Sequence, residues 1–144
     1  MKDTSAVDVA YIFAPFTAWF TAGSLKLAIS VLRSGRIDWE HVGLCRLPSN
    51  HTAVVSSTAM LIGLREGVQT PLFALAVTLA IIVILDALSL RREVGAHAAA
   101  LNDLLRSDAK RSRFREHIGH QWVEVLGGLL VGLGCAWLLH CLFS

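Results

Sequence analysis

PLFALAVTLAIIVILDALSLRR, residues 71–92, is the stretch whose reading decides the fold. Pro71 stands where a helix tolerates it, in the first turn, because an N–H there would have no intrahelical partner. From Pro71 to about Leu90 the run is long enough, at about 1.5 Å per residue, to cross a hydrocarbon layer of ~30 Å. Asp86 interrupts it near its end, and Arg91 and Arg92 close it. Of the apolar runs in the chain this one faces lipid most plainly.

The whole chain agrees with that stretch. It has 144 residues, 54% of them hydrophobic and 17% charged, with a mean hydropathy of +0.57. Those values describe one membrane-embedded domain, residues 1–144, rather than a soluble one. A formal net charge of +2 is too small to point to nucleic acid, and the basic residues are confined to particular loops. Cys45, Cys135 and Cys141 are odd in number and widely spaced, which predicts reduced thiols and no zinc site. Asp3 and Asp8 give the N-terminal residues the wrong charge for a secretory signal, so no cleavage is expected.

Upstream, a first span covers about residues 9–32 and contains Lys26, a cation that must snorkel to an interface or face a polar cavity. Arg33 lies two helical turns further along the same face. A polar loop over residues 34–47 leads to Pro48-Ser49-Asn50-His51, which opens a short apolar helix, about residues 52–64. This helix is thin for a crossing unless neighbours cover its ends. Downstream of residues 71–90, the part 96–106 reads as a surface helix with Leu101, Leu104 and Leu105 on one side. A basic run, Lys110, Arg111, Arg113 and Arg115, follows it. The last span covers about residues 121–143, and Gly127, Gly128, Gly132 and Gly134 predict close helix packing there. The expected fold is therefore all-α, an integral membrane four-helix bundle with a short surface helix between the third and fourth spans.

Four spans place the 34–47 and 91–119 loops on one face, and both termini with the Arg65 turn on the other. The first face carries Arg33, Arg36, Arg46, Arg91, Arg92, Arg106, Lys110, Arg111, Arg113 and Arg115; the second carries Lys2 and Arg65. The positive-inside rule puts the first face in the cytoplasm of an inner or plasma membrane. Arginines retained to hold phosphate would produce the same asymmetry.

That basic face also collects the candidates for chemistry: Lys26, Arg33, Ser49, Asn50, His51, Arg91, Arg92, His120 and Glu124. Unpaired N–H groups and the positive dipole end at the start of the second helix favour a bound phosphate. A neutral imidazole can attack phosphorus, a protonated one can give the leaving oxygen its proton, and fixed cations can hold the equatorial oxygens. His120 and Glu124 are spaced to share a helix face, so the carboxylate can orient the ring.

Lys26 with Arg33, Pro48-Ser49-Asn50-His51, and His120 with Glu124, in that order, resemble the three signatures of the type 2 phosphatidic acid phosphatase superfamily, which includes the vanadium haloperoxidases. The chain is most similar to its small divergent membrane branch, in which segments like Pro48–Ala53, Asp86–Asn102 and Gly119–Gly128 recur. The resemblance implies a metal-independent phosphatase, without cofactor, that works through a phosphohistidine. It makes His120 the nucleophile, Glu124 its orienting carboxylate, His51 the general acid, and Lys26, Arg33 and Ser49 phosphate ligands. The family's pattern differs at Ser34, Asn50 and Glu124, and Arg113 stands one residue too far from His120. Arg91 or Arg92 is expected to supply that guanidinium, with Arg113 as the fallback.

Two functions follow as expectations. One is an integral membrane phosphatase acting on a lipid or isoprenoid phosphate or diphosphate; haloperoxidation ranks below it because those relatives are large and soluble. The other is a non-enzymatic membrane subunit that uses the same anion pocket for anionic lipid or a partner protein. Each residue also has a plain reading: Lys26 can snorkel, the Lys110–Arg115 run can bind anionic lipid, and His120 with Glu124 can be an interfacial polar pair. Asp86 is expected to hold an arginine in place. A homodimer through the Gly127–Gly134 face is expected because four spans are few for a membrane phosphatase.

Overall fold

The computed structural model describes residues 9–34, 47–105, 114 and 122–143. All regular structure among them is helical: α1 (Val9–Ser34), α2 (Asn50–Arg65), α3 (Pro71–Leu85), a π-helical turn (Asp86–Leu90), α4 (Arg91–Leu104) and α5 (Trp122–Leu142). The π turn joins α3 to α4 without a break, so the described residues form a bundle of four helical rods.

The rod at the centre is α2, which packs most extensively on α5, then on α1 and α3. Its neighbours approach closely because the facing side chains are small. Ala10, Ala14, Ala18 and Ala22 recur every fourth residue on α1, and all are fully buried. On α5 the seam is Gly128, Gly132, Ala136 and Leu139. A methyl group at Gly128 would run into the Ser49 carbonyl, and one at Gly132 into Ser56 Oγ. Such close approach is how helices associate where lipid removes the usual hydrophobic drive. Gly127 meets Leu47 and Pro48 in the same seam. The packing that these glycines serve is therefore internal to the chain, on α2, whereas Gly134 has open space beside it.

The buried serine hydroxyls of α2 donate to backbone carbonyls, as an apolar surrounding requires. Ser56 Oγ donates to the Thr52 carbonyl at 2.7 Å. Ser57 Oγ reaches the Val54 carbonyl at 2.9 Å and the Ala14 carbonyl of α1 at 3.1 Å. At its far end α2 is tied to both neighbours. Tyr11 donates to Glu66 Oε1 at 2.6 Å, Arg65 Nη2 donates to the Phe143 carbonyl at 3.1 Å, and the Arg65 guanidinium stands 5.7 Å from the Tyr11 ring centroid. Gly67, with φ of 91°, then turns the chain toward α3, a backbone region open to glycine at no steric cost.

α3 begins as its sequence dictates. Thr70 caps it by accepting from the Phe73 N–H at 3.2 Å, and Pro71 follows in the first turn. None of its residues is buried. It is held to α2, where the Phe73 ring fills the space that Gly63 leaves.

Among the described residues three helical stretches are long and apolar enough to cross a membrane: Val9–Leu32, Pro71–Leu104 and Trp122–Leu142. At 16 residues α2 falls short of that length, spanning about 24 Å at the usual rise. The second helix is thus as short as expected, and α1, α3 and α5 pack around it. The surface helix expected over residues 96–106 begins earlier, at Arg91, and continues the third rod. That 34-residue stretch is about 50 Å long, so it outruns the hydrocarbon layer and α4 extends beyond it.

Candidate functional site

The turn Pro48-Ser49-Asn50-His51 stands at the junction of α1, α2 and α5, and its backbone is fixed from below. The Leu47–Pro48 peptide is cis. Ser49 is the N-cap of α2: its Oγ accepts from the Thr52 N–H at 3.4 Å and from Thr52 Oγ1 at 3.1 Å. Its own N–H donates to the Glu124 carbonyl at 2.9 Å, so the first turn of α5 is bonded to the turn before α2. Ser49 is fully buried, and Glu124 is 3% exposed. The glycine seam permits this approach, since a side chain at Gly128 would strike Ser49 itself.

Above this anchor lies a cavity of about 400 Å³ lined by Trp19, Lys26, Asn50, His51, Val54, Val55 and Val83. Lys26, Asn50 and His51 form its polar end. Trp19 comes from α1, Val54 and Val55 from α2, and Val83 from α3, and they form its apolar wall. Its size is within the ordinary range for small-molecule sites. Asn50 packs beside Gly23 of α1, where a methyl group would lie 3.8 Å from Asn50 Nδ2. Asn50 and His51 occupy the first turn of α2, at the positive end of its dipole, and Lys26 adds a full charge. The arrangement can hold an anion beside an imidazole, with apolar surface directly beneath.

The structure thus brings Lys26, Asn50 and His51 together on one cavity, while Glu124 lies buried at the foot of the same turn. Ser49 does not line the cavity; its hydroxyl is engaged as a helix cap. His120 and Arg113 lie outside the described residues. Arg33 is at the end of α1, and Arg91 and Arg92 open α4 just after the π turn, but their side chains also lie outside the description. Asp86 is half-buried at the start of that turn. Among the described residues no three His, Cys, Asp or Glu side chains cluster so as to hold a metal ion.

Sequence reasoning missed the apolar wall. One signal was available: Trp19 precedes Lys26 by the same two-turn interval that separates Lys26 from Arg33, so it had to share their face of α1. Asn102 of α4, which ends one of the recurring segments, has no role in the sequence reading. Its amide donates to the Phe114 carbonyl and accepts from the Phe114 N–H, both at 2.8 Å, holding one point of the connection that leads to α5.

The chain is similar to the uncharacterized membrane protein YuiD of Bacillus subtilis (strain 168), with 27% identity over 139 residues, covering 85% of this chain and 88% of that protein. No solved structure matches it. A family model described as the Divergent PAP2 family matches residues 7–135, a region that contains all three groups of residues discussed above. The chain belongs to the Divergent PAP2 family.

Proposed function

We propose that this protein is an integral membrane phosphatase that hydrolyses a lipid or isoprenoid phosphate or diphosphate through a phosphohistidine. The observation that carries the reading is the cavity itself, in which Lys26, Asn50 and His51 meet directly above Trp19, Val54, Val55 and Val83. An anionic head and a hydrocarbon tail need those two surfaces side by side. The Ser49 to Glu124 hydrogen bond supports the same reading, because it ties the helix that follows His120 to the turn that carries His51.

In this proposal one ring nitrogen of His120 attacks phosphorus while the bond from phosphorus to the leaving oxygen breaks. His51, protonated, gives its proton to that oxygen. Water then attacks the phosphoryl group, the P–N bond breaks, and the water's proton passes to His51, which restores both histidines. Glu124 orients His120. Lys26, Arg33, Asn50 and Arg91 or Arg92 hold the equatorial oxygens, whose charge they stabilise most in the transition state. Ser49 serves by fixing the turn. The site faces the cytoplasm, with both termini on the other side.

One observation favours the non-enzymatic alternative, an anion-binding subunit: the Ser49 hydroxyl, a phosphate ligand in the family pattern, is buried and used as a cap. Phosphate release by the purified protein in lipid nanodiscs separates the two. The panel is phosphatidate, phosphatidylglycerophosphate, and prenyl mono- and diphosphates, each also tested with His120→Ala and His51→Ala. Release that both substitutions abolish establishes the enzyme and its substrate class. Binding of anionic lipid with no release from any member establishes the subunit.

A further inference from the structure

We propose that the cavity accepts the first part of one hydrocarbon chain attached to the phosphate, and that Trp19 is the floor that turns the chain out sideways between α1 and α3. The proposal deepens the function above and rests on it for the position of the phosphate. Its starting point is the set of seams around the cavity. α1 packs along α2, and α2 packs along α3, but α1 and α3 scarcely touch each other. The cavity is lined from all three, so its open side is the gap between α1 and α3, which faces lipid.

Depth follows from the helix register. Trp19 lies two turns of α1 below Lys26, about 10 Å along the axis. Val54 and Val55 stand one turn below Asn50 and His51 on α2, and Val83 faces them from α3. A chain leaving a phosphate at Lys26 therefore meets valine walls first and the indole last. Trp19 is 57% exposed, so part of its ring borders the cavity and the rest faces the bilayer beside Phe16 and Phe20. Among the described residues the three helices that line the cavity share one unpacked seam, that between α1 and α3, which gives room for one chain rather than for the two of a diacylglycerol. The matching ligand class is a single-chain phosphate or diphosphate, prenyl or alkyl.

The test reads binding separately from turnover. Radiolabelled n-alkyl phosphates from ethyl to decyl are bound to the full chain in nanodiscs, and phosphate release is followed in parallel. For the unaltered protein, affinity corrected for partition of the ligand into empty nanodiscs should rise with each methylene that packs within the cavity, then level off once the chain passes Trp19 into lipid. Trp19→Ala should move that break to longer chains, and Trp19→Phe should move it less. Hexadecyl phosphate should bind at least about tenfold more tightly than phosphatidate, a difference of about 1.4 kcal/mol. A break at the same chain length in all three proteins, or equal affinity for one-chain and two-chain phosphates, overturns the proposal. Helical circular dichroism of each variant verifies the fold, which an exposed side chain should not govern. If the break follows Trp19 but nothing is hydrolysed, the chain site stands and the enzymatic reading falls. Hydrolysis with a break indifferent to Trp19 gives the reverse.

Discussion

The two ends of the bundle carry the same kinds of side chain and use them differently. At one end Tyr11, Arg65 and Glu66 bond to one another's helices and to the Phe143 carbonyl, and they clamp α1, α2 and α5 together. At the other end Lys26, Asn50 and His51 line a cavity, while the bonds that hold the helices together run beneath them, through Ser49, Thr52 and the Glu124 carbonyl. Ionisable groups near a membrane interface are thus not equivalent evidence of function. What separates the ends is what the polar groups stand beside, a neighbouring helix at one end and a cavity at the other. A clamp should respond to substitution through stability, and a site should respond through chemistry.

The largest effect that would sharpen this contrast is expected at the cavity. His51→Ala should lower phosphate release by about 10²–10⁴-fold, the usual contribution of a general acid, and leave the thermal unfolding midpoint nearly unchanged because His51 is exposed. A large fall in the midpoint with proportionate loss of activity would assign His51 to structure and erase the difference between the ends.

Next comes the seam that supports the cavity from below. Gly132→Leu places a side chain against Ser56 Oγ and the Ala53 carbonyl, and overpacking of this kind costs roughly 1–3 kcal/mol or more. Gly134→Leu, on the same helix but with open space beside it, should cost little. Unfolding in detergent compares the two. Equal costs would mean that α5 does not pack on α2 through its glycines.

The all-helical fold, the boundaries of α1 and α5, and the grouping of Lys26, Asn50 and His51 were legible in the sequence, for a physical reason. Apolar length and the spacing of charges determine what a membrane chain buries. The glycines announced close packing, but composition does not say whether the partner helix is in the same chain or another, and the structure shows α2 in that place. Ser49 was readable as a polar residue at a helix start, which suits an anion ligand and a cap equally; in the structure it is fully buried and caps α2. The start of α4 was obscured because Asp86, Arg91 and Arg92 look like the end of a span, whereas a π turn carries the helix through them. Val54, Val55 and Val83 could not be singled out, since valines on any lipid-facing helix look alike until the gap beside them is known.

The smallest effect belongs to the clamp, and it tests the comparison from the other side. Tyr11→Phe keeps the ring beneath the Arg65 guanidinium and removes the hydroxyl that donates to Glu66. One such hydrogen bond is worth about 0.5–1.5 kcal/mol net. The variant should unfold at a slightly lower temperature while binding alkyl phosphates and releasing phosphate as before, because Tyr11 and the cavity are at opposite ends of α2. A variant that unfolds like the original but binds or hydrolyses its substrate differently would mean that the clamp sets the tilt of α1 and, through Trp19 and Lys26, the width of the cavity. The two ends would then be parts of one device.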